Sequence, residues 1–344
     1  MIADPQAAID TENATSSGLS VVIPVYGSEL TLPQLVERLK NVLSPLTETC
    51  ELILVNDSSP DGSWEVISGL AQQNSWIRPI NLMRNYGQHN ALLCGIRASQ
   101  YGVIVTMDDD LQHPPEEIPK LLAVLAEGYD VVYGTPEHER HGLGRDLASL
   151  ATKMALQGAL GAEIARQAGA FRALRRQVTR AFDHYEGSFV SIDVLLTWGT
   201  SRFAATPVRH VPRPQGASGY TFRKLVTHAM NMMTGFSTLP LQLASIVGFA
   251  FTLFGIGVLL FVLARYFIVG GSVPGFPFLA SIIAIFSGAQ LFALGIMGEY
   301  LARMHFRSMQ KPPYVVRVDT VGSRMSETNG ASGSIGKSAS GVAR

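Results

Sequence analysis

Val103-Ile104-Val105-Thr106-Met107-Asp108-Asp109-Asp110 sets an unbroken apolar run directly against three successive carboxylates. A short apolar run closed by polar residues reads as a buried strand. Three adjacent carboxylates at a strand end repel one another unless a cation neutralises them. Hard divalent ions such as Mg²⁺ or Mn²⁺ bind through carboxylates while keeping positions for substrate phosphates. A solvated acidic turn is the alternative for an isolated triplet, and the surroundings decide against it.

Outward from that stretch, Leu19 to Pro24, Glu51 to Val55 and Asp130 to Gly134 are three more short apolar runs, with helical patterns between them at 31–44, 62–73, 88–99 and 116–127. Such alternation predicts an α/β domain with a parallel sheet and a ligand crevice at the carboxyl ends of the strands. Tyr26, Asp57 and Asp108 to Asp110 fall at those ends. Further helices are expected at 146–166 and 173–182. A dinucleotide-binding domain would carry G-x-G-x-x-G after the first strand. Here that turn is Pro24-Val25-Tyr26-Gly27-Ser28-Glu29, and Gly142 with Gly144 lies after the fourth strand without a third glycine. No P-loop sequence occurs, so nicotinamide, flavin and NTP-hydrolysis chemistry are not expected.

The 344 residues carry 27 Lys and Arg against 27 Asp and Glu, and only 16% are charged, where soluble proteins average about a quarter. The zero is a cancellation: residues 1–139 hold 6 basic and 19 acidic residues, 140–224 hold 13 and 5, and 225–344 hold 8 and 3. An acidic half suited to a cation therefore precedes a basic half suited to anions. The missing charge lies in two runs, Leu239 to Leu263 and the stretch between Arg265 and Glu299, each longer than the roughly 20 residues that cross a hydrocarbon core. Arg209, Arg213, Arg223 and Lys224 precede the first run, and Arg303, Arg307, Lys311 and Arg317 follow the second. The positive-inside rule puts both chain ends in the cytosol and the Gly-rich link from Val269 to Gly275 on the far side. Residues 1–18 have no basic n-region or apolar core and are not a secretory signal. Cys50 and Cys94 are too few for a disulfide scaffold, and their spacing suits no metal, in keeping with a reducing compartment.

The expected organisation is a disordered tail at 1–18, a cytosolic domain at 19–219 and a juxtamembrane segment at 220–238. A two-helix transmembrane hairpin at 239–300, a cytosolic segment at 301–318 and a disordered tail at 319–344 follow. Residues 220–236 mix basic and apolar side chains and read as an interfacial helix.

Four motifs occur in order: Ser20 to Tyr26, Val55-Asn56-Asp57-Ser58-Ser59-Pro60-Asp61-Gly62, Arg84-Asn85-Tyr86-Gly87-Gln88-His89-Asn90, and Met107-Asp108-Asp109-Asp110-Leu111-Gln112-His113-Pro114-Pro115-Glu116-Glu117. Together with the two C-terminal spans they resemble the family 2 glycosyltransferases of the GT-A, Rossmann-like fold. The resemblance is to the polyprenyl-phosphate branch that includes bactoprenol glucosyltransferases, undecaprenyl-phosphate aminoarabinose transferases and dolichyl-phosphate mannose synthases. It implies an inverting, metal-dependent transfer from a nucleotide-sugar to a polyprenyl phosphate at the cytosolic face of a bacterial inner membrane. The cofactor would be Mg²⁺ or Mn²⁺, tetramers are known in similar proteins, and no nucleic acid partner is expected.

Carried over by position, the resemblance has Pro24, Tyr26 and Glu29 framing the nucleotide base and ribose, with Asp57 reading the ring. Arg84 and Gln88 face the donor, Asp108 and Asp110 hold the metal on the diphosphate, and Asp109 stands at the donor where the family has a small residue. Gln112 shapes the sugar site, while His89 and His113 are packing residues. Arg213, Gly216, Ser218 and Tyr220 match R-x-x-G-x-S-x-Y, placing Arg213 and Ser218 at the acceptor phosphate with Arg140 and Arg145 beside them. One departure is plain: Gln167-Ala168-Gly169-Ala170-Phe171-Arg172 stands where the family has Asp-x-Gly-Asp-Phe-Arg. A processive polysaccharide synthase would show Gln-x-x-Arg-Trp and more spans, and neither is present. A catalytically silent nucleotide-binding scaffold is the alternative that the missing aspartates raise.

Overall fold

Apolar residues that alternate between two buried faces make the central strand of this domain. Leu19, Val21, Ile23 and Val25 of β1 (Leu19–Val25) pack into one core layer and Val22 into the other. The computed structural model describes residues 17–136, 169–187, 190–211, 239–269, 275–309 and 311–317. Beside β1 lie β2 (Cys50–Asn56), β3 (Ile77–Asn81) and β4 (Val103–Thr106), all parallel. The sheet continues through β5 (Val131–Pro136), β6 (Arg172–Arg175) and β7 (Phe203–Val208), giving the order β3-β2-β1-β4-β6-β5-β7. β6 runs antiparallel to both β4 and β5, while β7 is parallel to β5.

One face is covered by α1 (Leu32–Leu43), α2 (Ser63–Gln73) and α4 (Ile118–Ala126), whose Leu35, Leu39, Ile67 and Leu121 are fully buried. The other is covered by α3 (Gln88–Ala98), α5 (Ile192–Gly199) and a 3₁₀ turn over Arg176–Phe182. This is the mostly parallel, doubly covered sheet that the alternation of strands and helices predicts.

Three strands, β3, β6 and β7, are not among the four expected runs. The segment 173–182, expected as helix, is β6 followed by the 3₁₀ turn. Ala173 and Leu174 have no exposed surface because they fill the slot between β4 and β5, and that burial outweighs local propensity. β3 carries Pro79 and only two apolar residues, so no apolar run marks it; proline is tolerated because the strand pairs with β2 on one side alone. The expected helices at 146–166 and 220–236 lie outside the described residues.

Close approach between α3 and the sheet depends on Gly95. A Cβ there would sit 2.3 Å from Val22 Cγ1 and 3.1 Å from Val55 Cγ2. Gly95→Ala gains about 1 kcal/mol of helix propensity but overpacks the layer, at about 1–3 kcal/mol. A net fall in melting temperature is expected; an unchanged or higher value would show that α3 can shift away.

After the domain come α6 (Leu239–Val269) and α7 (Phe276–Ser308), both long and apolar enough to cross a membrane. They touch through Phe251 and Phe286, ring centroids 5.5 Å apart, with Gly255 beneath the Phe286 ring. None of either apolar window is buried by the protein itself. Phe249, Phe261 and Phe292 are each about two-thirds exposed. An apolar surface this continuous is not a water-facing surface.

Candidate active site

Parallel register brings Val25, Asn56 and Asn81 side by side, and Val22 beside Thr106. The loops that follow β1, β2, β3 and β4 therefore meet at one edge of the sheet. The β4 turn is anchored at its start, where Met107 N–H donates to the Val22 carbonyl at 3.3 Å. It then turns through Leu111 at φ 60°. A leucine in the left-handed region is strained unless its surroundings enforce it, and here its side chain is 6% exposed in the core.

Asp109 is the hub of this turn. Its Oδ2 accepts from Tyr26 N–H at 3.1 Å and from Ser28 Oγ at 2.5 Å, while its carbonyl accepts from Thr31 Oγ1 at 2.9 Å. Burial pushes its carboxyl above the usual range, and the Ser28 and Tyr26 hydrogen bonds oppose that rise. The middle carboxylate thus ties the β4 turn to the β1 turn. On either side, Asp108 Oδ1 accepts from Gln88 Nε2 at 2.6 Å and Asp110 Oδ1 from Gln112 N–H at 3.1 Å.

Asp57, at the end of β2, accepts from Tyr86 N–H at 2.7 Å and Gly87 N–H at 2.8 Å. Gly87, with φ 94°, a conformation open to glycine, then turns the chain away from these two amides and into the following helix. Burial raises the Asp57 carboxyl, and the two amides and Arg84 pull it back down. Arg84 lies 4.4 Å over the Tyr86 ring. From Gly87 the chain enters α3, which delivers Gln88 to Asp108.

Glu29 and the β2 loop hold each other. Gly62 N–H donates to Glu29 Oε2 at 3.0 Å, and Glu29 N–H to Asp61 Oδ2 at 3.2 Å. Gly27 N–H donates to Ser59 Oγ, and Ser28 N–H to Ser63 Oγ. Tyr26, beyond Pro24 at the end of β1, is left 55% exposed over this rim. Asn56 donates through Nδ2 to Asn81 and accepts at Oδ1 from Ser59. An aspartate could not donate that bond to β3.

The residues expected at the donor, Pro24, Tyr26, Glu29, Asp57, Arg84, Gln88 and Asp108 to Asp110, therefore lie on or next to one set of linked turns, with Gln112 beside them. Gln112 also connects this edge to the chain after β7, its carbonyl accepting from Val211 N–H at 2.9 Å. His113 stacks on Phe171 at 5.4 Å and faces His210 at 5.1 Å, and His89 Nδ1 accepts from Ile192 N–H at 3.4 Å. Sequence reasoning passed over Ser28, Thr31 and Ser59, which fasten the turns. The available signal was small hydroxyl side chains just after two strand ends. Arg140, Arg145, Arg213 and Ser218 lie outside the described residues, as does Gln167.

Among the described residues no group of three or more His, Cys, Asp or Glu side chains is gathered to hold an ion by itself. A Mg²⁺ or Mn²⁺ site made of one or two carboxylates and completed by substrate phosphates and water does not require such a group. Asp108 and Asp110 supply hard oxygen donors of that kind.

Residues 20–182 match Glycosyl transferase family 2. An undecaprenyl-phosphate 4-deoxy-4-formamido-L-arabinose transferase of Yersinia enterocolitica is 35% identical over 322 residues, covering 93% of this chain and 98% of that protein. The transferase of the same description from Yersinia pestis is 36% identical over 314 residues, 90% of this chain and 96% of its own length. Among solved structures, glucosyl-3-phosphoglycerate synthase of Mycobacterium tuberculosis with Mn²⁺ and UDP-glucose aligns at TM-score 0.46 and 18% identity, over 67% of this chain and 79% of that one. Since the Yersinia similarity runs through both apolar helices as well as the sheet, the chain belongs to glycosyltransferase family 2, among its polyprenyl-phosphate glycosyltransferases.

Proposed function

We propose that this glycosyltransferase moves a sugar from a nucleotide-sugar, a UDP-sugar in the first instance, to undecaprenyl phosphate at the cytosolic face of the bacterial inner membrane. The product is a polyprenyl-monophosphate sugar with inverted configuration, β where the donor is α-linked. The observation that carries the reading is the convergence of Asp57, Gln88, Asp108 and Asp110 on linked turns at the carboxyl edge of the sheet. Support for the acceptor comes from the near full-length similarity to undecaprenyl-phosphate transferases.

In this reading Tyr26, with Pro24 and Glu29, lines the base and ribose, Asp57 reads the ring while holding the Tyr86–Gly87 turn, Arg84 and Gln88 face the donor, and Gln112 borders the sugar. Asp108 and Asp110 would hold Mg²⁺ or Mn²⁺, which when bound neutralises charge on the departing diphosphate. Arg213 and Ser218, with Arg140 and Arg145, are assigned to the lipid phosphate, where guanidinium forks and a hydroxyl are suitable donors. The acceptor needs little help from a base. A phosphomonoester has a second pKa near 6, so at neutral pH its oxygen is already largely ionised. Ala170, in place of an aspartate, is compatible with that chemistry.

Val315 and Arg317 hydrogen-bond to Met83 and Asn81 at the end of β3, which supports a topology with the chain beyond α7 on the same side of the bilayer as the catalytic domain. Two crossings satisfy this, and the basic residues flanking both apolar helices support the same cytosolic placement. The decisive experiment incubates purified full-length protein with undecaprenyl phosphate, MgCl₂ and a panel of radiolabelled UDP- and GDP-sugars. One donor is expected to give labelled lipid with a β linkage. No labelled lipid from any donor, with nucleotide binding intact, would establish the silent scaffold instead.

A further inference from the structure

The segment after α7 does more than leave the membrane. Pro312 and Pro313 cannot continue the helix, and they hold the chain extended. Val316 then forms an antiparallel bridge with Leu82, Met83 N–H donates to the Val315 carbonyl at 2.9 Å, and Arg317 N–H donates to the Asn81 carbonyl at 2.7 Å. The chain after α7 thereby pairs with the last residue of β3 and the residues just beyond it, by a short piece of strand addition. Pro313 is buried, and Tyr314 packs into the second core layer beside Cys94, with the Arg97 guanidinium 6.0 Å from its ring centroid.

What this segment covers is the start of the Leu82–Gly87 loop. The same loop carries Arg84 and supplies both amides that hold Asp57. We propose that Tyr314–Arg317 is a positioning strap for the donor site: it fixes the Leu82–Gly87 loop against Asp57 and joins that loop to the cytosolic end of the second membrane helix. The residues touch no substrate and act through the loop. The idea rests on the functional reading above only for which ligand the loop serves.

Arg317→Pro is the direct test, because it deletes the donated N–H while Val316 before it is already extended, as a residue preceding proline prefers. Arg317→Lys keeps the N–H and serves as rescue, and Tyr314→Phe against Tyr314→Ala repeats the comparison for the ring. Full-length protein in lipid nanodiscs is followed by hydrogen exchange, by affinity for whichever of UDP and GDP the wild type binds, and by steady-state kinetics. In Arg317→Pro the amides of Leu82–Gly87 are expected to exchange at least about tenfold faster. Nucleotide affinity should weaken, and KM for nucleotide-sugar rise, about tenfold, since a loop displaced by an ångström can cost up to about a hundredfold. kcat and KM for the lipid should stay within about twofold. Arg317→Lys should behave as wild type in all of these.

Unchanged exchange and affinity in Arg317→Pro overturn the strap, as does an equal rise in both KM values, which would signal general damage. A wild type that binds nucleotide yet turns over no sugar removes the functional reading and leaves the strap to be decided on exchange and affinity.

Discussion

Asp110→Asn is expected to lower sugar transfer by about a thousandfold or more while moving the melting temperature by no more than a few degrees. The loss follows from chemistry: a hard divalent ion on the diphosphate supplies several kcal/mol of charge stabilisation, and each 1.36 kcal/mol is tenfold in rate. An amide keeps the shape of the side chain but not the anionic oxygens that hold the ion. Asp108→Asn should act similarly. EDTA should abolish wild-type transfer and added Mg²⁺ or Mn²⁺ restore it. Asp109→Asn is the internal control. Its oxygen ties Tyr26 and Ser28 across to the β4 turn, so its replacement should loosen both turns and raise KM for the donor more than it lowers kcat. Full activity of Asp110→Asn, or of wild type in EDTA, would refute the carboxylate assignment.

The difference between Asp109 and its neighbours marks how far the sequence could be read. β1, β2 and β4 are legible because burial on both faces leaves unbroken apolar runs, and the acidic triplet is legible because nothing else at a buried strand end gathers three carboxylates. That the middle carboxylate fastens the β1 turn is not legible. It depends on Ser28 and Thr31 arriving from a loop some eighty residues earlier, and no local pattern encodes that contact. β3 is hidden for a related reason. Its Pro79 reads as a break, and an edge position beside β2, with the chain after α7 bridging just beyond it, makes the break tolerable. In β6, Arg172 and Arg175 enclose only two apolar residues, and the arginines look like surface. One of them is not.

Arg172 is 1% exposed, and its burial sets up the second large effect. Its Nη1 pairs with Asp193 Oδ1 at 2.5 Å, the same oxygen accepts from Tyr133 OH at 3.0 Å, and the guanidinium carbon lies 5.8 Å from the Tyr133 ring centroid. Burial, with the Asp193 carboxylate beside it, pushes the Tyr133 phenol well above its usual value, so it remains a donor. Removing one member of a buried pair strands the other charge, at about 3–5 kcal/mol. Asp193→Ala should therefore lower the melting temperature by about 6–20 °C, taking roughly 2–4 °C per kcal/mol for a domain of this size. Arg172 Nε has no hydrogen-bond partner among the described residues, so the ionic arrangement is not fully satisfied. Replacing both partners with apolar residues of similar volume, as in Arg172→Met with Asp193→Leu, should then recover most of the loss. If Asp193→Ala melts within 2 °C of wild type, the pair contributes little and β6 is held by Ala173 and Leu174 alone. If it melts early and the double variant does not recover, Arg172 is required for its hydrogen-bonding shape.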